Sequence, residues 1–215
     1  MKKMVFELKD ALCNMAFPEA RINNRKELLL ILLESCRYMM YNLQVPNADC
    51  KFMLIVDDMN RLFFCKEKKM FSIAFPFHVH VNVNDADLSL DYNQIKIDSQ
   101  IISQICQILE SEEYDSESAL DFVTPIADIQ ERSNKDFWII LKHLLTYEIG
   151  YIRYDDDLEH FKEASRVGYP KRHPRYHFDI NLSSHSVYKV GLGNKISPDK
   201  FVEFLDDTKD RWVVK

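Results

Sequence analysis

Glycine is scarce in this chain, with four residues in 215. Nucleotide-binding folds of the Rossmann and P-loop type gather several glycines in one phosphate-binding loop. Gly191 and Gly193 are the closest pair, and their position at the end of a predicted strand is typical of turn residues. The scarcity of glycine therefore argues against both of these folds.

Closely spaced cysteine pairs are also lacking. The five cysteines are scattered along the chain, and none belongs to a C-x-x-C motif: Cys13, Cys36, Cys50, Cys65 and Cys106. An odd, widely spaced set predicts neither a disulfide framework nor a zinc ribbon. We expect reduced and mostly buried thiols in a cytoplasmic protein.

Long apolar runs are missing as well. The run at residues 28–33 stops at Glu34, far short of the roughly 20 apolar residues that a membrane span needs. Near the N-terminus, Glu7, Lys9 and Asp10 interrupt the apolar stretch that a signal peptide requires. We therefore expect neither a membrane span nor a secretion signal.

The composition that is present suits a globular protein, with 47% hydrophobic and 29% charged residues. A chain of this length buries a sizeable core unaided. Its net charge of −6 is concentrated in residues 85–130, which hold eleven acids and one base, Lys96. This acidic segment disfavours nucleic acid as its partner and suits a basic protein.

Positive charge gathers in the segment at residues 166–175. It contains four bases and no acid: Arg166, Lys171, Arg172 and Arg175. Such a loop suits nucleic acid or another phosphate, and it is also typical of a solvated surface loop. In the first interpretation, Arg172 and Arg175 bind phosphate together with Arg153 of a neighbouring strand.

Apolar periodicity alternates between helical and extended segments. Helical spacing covers residues 5–16, 25–43, 99–110, 117–132, 135–148 and 198–205. Strand candidates are 51–57, 61–65, 70–83, 150–155, 175–182 and 187–192, with a short closing strand at 211–214. Consecutive strands joined by short turns form antiparallel meanders. The predicted fold class is therefore α+β, with antiparallel sheet meanders packed with amphipathic helices.

The domain organisation is simple, because the sequence has no internal repeat and no low-complexity linker. We expect a single α+β domain over residues 1–215. If the chain forms two halves instead, the acidic run at 111–118 is the expected seam.

Reactive side chains are densest at residues 173–181, which contain two histidines, an arginine, an aspartate and an asparagine. On a strand at 176–182, His177, Asp179 and Asn181 share one face because side chains alternate. A carboxylate beside a histidine orients the imidazole for general acid–base chemistry. The sequence predicts a catalytic group of His177, Asp179 and Asn181, oriented in part by His173.

A second histidine strand places His78, His80 and Asn82 on one face. Histidines two residues apart on a strand are about 6–7 Å apart at the backbone, so both rings can reach one ion. His78 and His80 are therefore candidate ligands of a divalent metal, with Asp179 as a further ligand. The alternative is an amphipathic strand that shows polar residues to water. The aspartates at 155–157 have the same two interpretations, a cation site or a solvated turn.

Three motifs occur in order over about the last 65 residues: Gly-Tyr-Ile-Arg-Tyr-Asp-Asp-Asp at 150–157, His-Pro-x-x-His-Phe-Asp-Ile-Asn at 173–181, and Tyr-Lys-Val-Gly-Leu at 188–192. This series resembles an uncharacterised bacterial family of small intracellular proteins, often encoded in mobile or antiphage-defence islands. The resemblance implies a role in a defence or toxin–antitoxin system with a protein partner. It implies no particular activity.

Two functions are compatible with these observations. The first is an accessory subunit of such a system, which docks a basic protein through the acidic segment and exposed aromatic residues. The alternative is an effector nuclease or nucleotide phosphodiesterase with its site on the strand at 176–182. We favour the accessory subunit here because acidity, scarce glycine and the lack of a complete catalytic motif count against an enzyme.

Overall fold

The computed structural model describes residues 2–41, 48–56, 59–81, 88–115, 135–180, 188–210 and 212. In chain order the helices and strands are β1 (Lys2–Glu7), α1 (Asp10–Ala16), α2 (Arg25–Met40), β2 (Lys51–Val56), β3 (Arg61–Lys66), β4 (Lys69–Ala74), β5 (His78–Val81), β6 (Leu88–Tyr92), β7 (Ile95–Ile97), α3 (Ser99–Glu110), α4 (Lys135–Thr146), β8 (Ile152–Asp156), α5 (Leu158–Arg166), β9 (Tyr176–Asp179), β10 (Lys189–Leu192) and α6 (Pro198–Leu205). Short 3₁₀ turns cover Glu112–Asp115 and Pro170–Arg172. The strands of both sheets pair antiparallel, which confirms the predicted α+β class.

The chain divides into two compact units. The first unit contains Met1–Asn24, Gln44–Phe75 and Ile149–Lys215, and the second contains Arg25–Leu43 and Pro76–Glu148. Residues 111–118, the suggested seam, fall within the second unit, and 116–118 lie outside the described residues.

The first unit is built on a seven-stranded sheet with the strand order β1-β2-β3-β4-β8-β9-β10. One face of this sheet packs against α6. The ring of Phe201 meets Phe63 edge-on and stacks on Phe178, each with centroids 5.8 Å apart. Ser197 caps α6 by accepting the N–H of Lys200 at 3.3 Å, and Pro198 takes the first helical position. This face is therefore an apolar core layer.

The opposite face carries a row of paired residues that crosses all seven strands. From β1 to β10 the row contains Phe6, Phe52, Phe64, Phe71, Arg153, Asp179 and Lys189. The aromatic part is tightly stacked, with ring centroids 4.8 Å apart for Phe6 and Phe52 and 4.5 Å apart for Phe64 and Phe71. The same row therefore changes from aromatic to charged between β4 and β8.

The second unit combines the three-stranded sheet β5-β6-β7 with α2, α3 and α4. The helix α2 packs against α3 and against β6. Asp98 caps α3 by accepting the N–H of Ile101 at 2.8 Å. The apolar stripes of these helices are buried, as their periodicity predicts: Leu28, Ile31, Leu32, Ile102, Ile105, Leu109, Phe137, Ile140, Leu141 and Leu144.

Several predicted elements differ from the structure. Residues 2–7 form an edge strand and only 10–16 are helical, because pairing with β2 overrides the local helical spacing at 5–9. The predicted strand at 70–83 is divided between two sheets. Pro76 separates β4 from β5, since proline has no N–H for a sheet ladder. The predicted helix at 117–132 lies outside the described residues, as does the closing strand at 211–214 apart from Trp212.

Three elements were not predicted. β6 and β7 form a hairpin whose turn residues Asn93 and Gln94 have φ values of 51° and 67°. Two-residue turns of this kind usually contain glycine, and this turn has none. The glycine that would have predicted the hairpin is therefore missing from the sequence. α5 is a polar helix with no buried residue, and it lacks the apolar stripe that marks a helix in a sequence.

All five cysteines are buried free thiols, as expected. Burial raises the pKa of Cys65 and that of Cys106 to about 12. A thiol with so high a pKa is rarely a thiolate and is therefore chemically inert. Over the described parts of the chain, none of the helices has both the length and the apolar character that a bilayer crossing demands.

Candidate functional site

The strands β8, β9 and β10 bring charged side chains to one face of the seven-stranded sheet. Arg153 and Asp155 of β8 lie opposite Asp179 and His177 of β9, and Lys189 of β10 lies opposite Asp179. Residues paired across antiparallel strands point to the same side. With Arg21, which reaches Asp179 from the segment after α1, these side chains form what we call the charged cluster: Arg21, Arg153, Asp155, His177, Asp179 and Lys189.

Asp179 is the centre of the charged cluster, and its side chain is fully buried. It accepts hydrogen bonds from Arg153 Nη2 at 2.7 Å and from Lys189 Nζ at 2.9 Å. Arg21 Nη2 lies 3.8 Å from the same carboxylate. A buried carboxylate is stable only when it is paired and hydrogen-bonded. The three cations meet that requirement.

His177 is buried as well, and its neighbours define its tautomer. The Nδ1 atom lies 2.8 Å from the carbonyl oxygen of Pro174, which only accepts, so Nδ1 carries the proton. The Nε2 atom therefore accepts, and Lys189 Nζ lies 2.8 Å from it. Burial, and then the charge of Lys189, hold the pKa of His177 below its ordinary value. The imidazole is thus neutral at neutral pH.

Arg153 connects the two carboxylates of the charged cluster. Its Nε donates a hydrogen bond to Asp155 at 2.7 Å, and its Nη2 donates one to Asp179. Burial would lower the pKa of Arg153, but Asp155, Tyr151 and Asp179 together raise it. Asp155 is only 5% exposed, so the interpretation of residue 155 as part of a solvated turn is wrong. Asp155 and Asp179 each place an oxygen 3.7 Å from His177 Nε2.

The cations are the most exposed members of the charged cluster. The side chains of Arg21, Arg153 and Lys189 are 29%, 17% and 24% exposed, whereas those of His177 and Asp179 are 1% and 0% exposed. An anion that approaches this face therefore meets three positive groups before it meets the imidazole or the carboxylates. Such an arrangement attracts phosphate and other oxyanions.

A second group of titratable side chains lies next to the charged cluster. The rings of His173 and His177 meet edge-on with centroids 5.0 Å apart. His173 pairs with Asp157 rather than with Asp179, through Nε2 and Oδ2 at 3.0 Å. His160 reaches the same Asp157 oxygen through Nδ1 at 2.8 Å. Asp157 belongs to the aspartates that the sequence offered as a cation site or a solvated turn, whereas His160 was not among the predicted site residues.

The other predicted phosphate ligands lie apart from the charged cluster. Arg175 donates to Asp156 at 2.9 Å and covers the ring of Tyr176 at 4.7 Å. Because Asp156 and Tyr176 are the pair next to Asp155 and His177 in the ladder, they point to the other face of the sheet. Arg172 is exposed and covers the ring of Tyr169 at 4.0 Å. Asn181 lies outside the described residues.

The two histidine strands belong to different sheets, because β5 pairs with β6 whereas β9 pairs with β8 and β10. His78 and His80 are exposed, and both contact Asp91 of β6. His78 Nδ1 lies 3.4 Å from Asp91 Oδ1, and His80 Nε2 is hydrogen-bonded to Asp91 Oδ2. Their structural carboxylate partner is thus Asp91 rather than Asp179.

Comparisons of this chain with protein-family models, with curated proteins and with solved structures found no match.

Proposed function

We propose that this protein acts on phosphate esters, as an effector nuclease or nucleotide phosphodiesterase of a bacterial defence or toxin–antitoxin system, with the charged cluster as its active site. One observation carries the proposal. A neutral, buried imidazole and two carboxylates lie beneath three partly exposed cations. This grouping favours an enzyme over an accessory subunit, because it brings together more catalytic groups than any motif in the sequence.

Phosphate binding is assigned to the three cations. A guanidinium has five N–H donors, and the two carboxylates use only Nε and Nη2 among the described contacts of Arg153. Guanidinium groups suit phosphate because they donate two parallel hydrogen bonds to its oxygens. Arg21 and Lys189 flank Arg153 through their shared partner Asp179, so all three cations can approach one phosphate.

Proton transfer is assigned to His177. Lys189 Nζ contacts both His177 Nε2 and Asp179 Oδ1. When a substrate phosphate draws this ammonium group outward, the lone pair of Nε2 becomes available to take a proton from the attacking water. The water oxygen bonds to phosphorus while the phosphorus–oxygen bond of the ester breaks, and the ester oxygen leaves with that electron pair and takes up a proton from solvent. The imidazolium that forms is stabilised by Asp155 and Asp179, while Nδ1 stays bound to Pro174.

The test is an activity assay on single-stranded DNA, single-stranded RNA and cyclic dinucleotides with the full chain. We expect one of these classes to be cleaved, and His177→Gln to lower kcat at least about 100-fold, as loss of a general base does. His80→Gln is a matched control, because His80 also lies close to an aspartate carboxylate but is exposed and belongs to the second unit. Cleavage that survives in His177→Gln, or no cleavage of any substrate, would contradict the proposal.

The accessory subunit stays as a second candidate because of one surface feature. On α4, Trp138 and Ile139 are 42% and 43% exposed, whereas their neighbours Phe137 and Ile140 are buried. Exposed tryptophan is characteristic of protein interfaces. A basic protein partner would then bind the acidic second unit at this helix. Mass measurement of complexes purified from the native host tests this candidate: a complex lost in Trp138→Ala supports it, and a free chain alone contradicts it.

A further inference from the structure

Two groups of three histidine and aspartate side chains place their ligand atoms within 4.8 Å of one another in the described residues. The first, Asp155, His177 and Asp179, already holds a cation of the chain itself. Lys189 Nζ lies 2.8 Å from His177 Nε2 and 2.9 Å from Asp179 Oδ1. The second group, Asp157, His160 and His173, has two imidazoles on its carboxylate instead. The described ion pairs of Asp157 are with these two histidines.

We propose that Asp157, His160 and His173 form a binding site for a divalent transition metal, with Zn²⁺ as the ion that fits best. Two imidazole nitrogens and one carboxylate oxygen are a typical ligand set for zinc. His160 Nδ1 and His173 Nε2 lie 2.8 and 3.0 Å from the same oxygen, Asp157 Oδ2. In a tetrahedral zinc site with bonds of about 2.0–2.1 Å, neighbouring ligand atoms are roughly 3.3 Å apart. The two distances seen here are therefore only about 0.5 and 0.3 Å shorter than such a site needs.

Helix capping does not account for this arrangement. Asp157 caps α5 with its other oxygen, Oδ1, which accepts the backbone N–H of His160 at 3.1 Å. The cap requires neither imidazole ring. His173 comes from outside the helix, from the connection between the 3₁₀ turn and β9, and its ring stacks on that of His160 with centroids 5.1 Å apart. The helix α5 and the segment before β9 thus each place a histidine on Asp157 Oδ2, the oxygen that the cap does not use.

The proposed metal site is open to solvent. The side chains of His160, His173 and Asp157 are 64%, 22% and 23% exposed. Three protein ligands with an open fourth position are typical of catalytic rather than structural zinc.

The test of this metal site does not depend on the proposed hydrolase activity, because binding of the ion is measured without any substrate. Metal-free protein is titrated with Co²⁺, which gives intense visible absorption when it is bound in a tetrahedral site, and Zn²⁺ is then added as a competitor. We expect one Co²⁺ per chain and its displacement by Zn²⁺. Absence of a saturable Co²⁺ spectrum would overturn the proposal.

The variants locate the ion. His160→Ala and His173→Ala should each weaken Zn²⁺ affinity by more than the roughly 10- to 100-fold that loss of an outer hydrogen-bond partner costs. Asp157→Asn tests the carboxylate in a folded protein, because asparagine caps a helix as well as aspartate does. It should keep the melting temperature and lose affinity. The matched control is the double variant His78→Ala and His80→Ala, which removes the other histidine pair on one carboxylate. Affinity that is unchanged in His160→Ala, or lost only in this control, would place the ion elsewhere and overturn the proposal.

Discussion

The two ends of the row that crosses the seven-stranded sheet are packed with different kinds of residue. On β1 to β4 the row consists of four phenylalanines, and the ring of Phe64 stacks on Phe71 with centroids 4.5 Å apart. On β8 to β10 it consists of Arg153, Asp179 and Lys189, joined by contacts of 2.7 and 2.9 Å. The aromatic half needs only close contact, whereas each charged group needs a specific partner.

This difference indicates that the aromatic half of the sheet stabilises the fold, whereas the charged half serves a function. Burial of aromatic rings stabilises a fold without directional requirements. Burial of ions is costly, and good pairing at most offsets the cost. A half-sheet that holds five charged or titratable groups of the charged cluster gains little stability from them, so a functional role is the better explanation. The predictions below compare the two halves, from the largest expected effect to the smallest.

Truncation in the aromatic half should cost the most stability. Phe64 is fully buried and lies between Phe52 and Phe71 in the row. We expect Phe64→Ala to lower the free energy of unfolding by about 3–5 kcal/mol, since a large cavity is left. Urea unfolding measures this. The loss should be independent of salt, and Val5→Ala, at a residue that is 45% exposed, should have little effect. A loss similar to that of Val5→Ala would show that the aromatic row is dispensable.

Removal of one charge from the other half should cost roughly 3 kcal/mol, because buried cations lose their counterion. Asp179→Asn keeps the shape of the side chain and removes the charge that Arg153 and Lys189 share. Urea unfolding at low and high salt is again the measurement. Asp199→Asn is the control, since this aspartate is 85% exposed in its ion pair with Lys3. Equal effects of the two substitutions would mean that the charged cluster is not coupled to folding.

A methyl group at Gly191 should have a smaller effect. A Cβ there would lie 2.9 Å from Cγ of Pro174, whose carbonyl holds His177. We expect Gly191→Ala to destabilise the protein by roughly 1–3 kcal/mol, as overpacking does, and to disturb the charged cluster. Gly193→Ala is the matched control, because no atom lies within 4 Å of its Cβ position. A neutral Gly191→Ala would show that Pro174 moves away freely.

The smallest predicted effect is on the pH dependence of stability. His177 has a lowered pKa in the folded protein, because of burial and then Lys189. The unfolded chain takes up a proton near pH 6.5, which the folded chain accepts only at lower pH. Stability should therefore fall as the pH drops below about 6.5, until the folded pKa is reached. Urea unfolding in metal-free buffer should show a shallower fall for His177→Gln and the unchanged fall for Phe64→Leu. If His177→Gln lost stability with falling pH as steeply as the unsubstituted protein, other groups than His177 would be responsible for the pH dependence.

Part of the charged cluster could be predicted from the sequence, and part could not. Strand alternation placed His177 and Asp179 on one face, and the structure shows them there with Arg153. Lys189 was missed because its contact depends on the register between β9 and β10, which aligns it with Asp179. Arg21 gave no signal, since its contact with Asp179 joins segments that are distant in the chain.

The sequence by itself determined the α+β class and the burial of the thiols, because hydrophobic periodicity and the scattered spacing of the cysteines can be read from the chain alone. Only the tertiary structure decided that the two histidine strands join different sheets, and that Lys189 rather than a second histidine strand lies beside His177. The physical reason is that strand pairing is set by contacts between segments far apart in the chain. Local preferences carry no information about which edge a strand will meet.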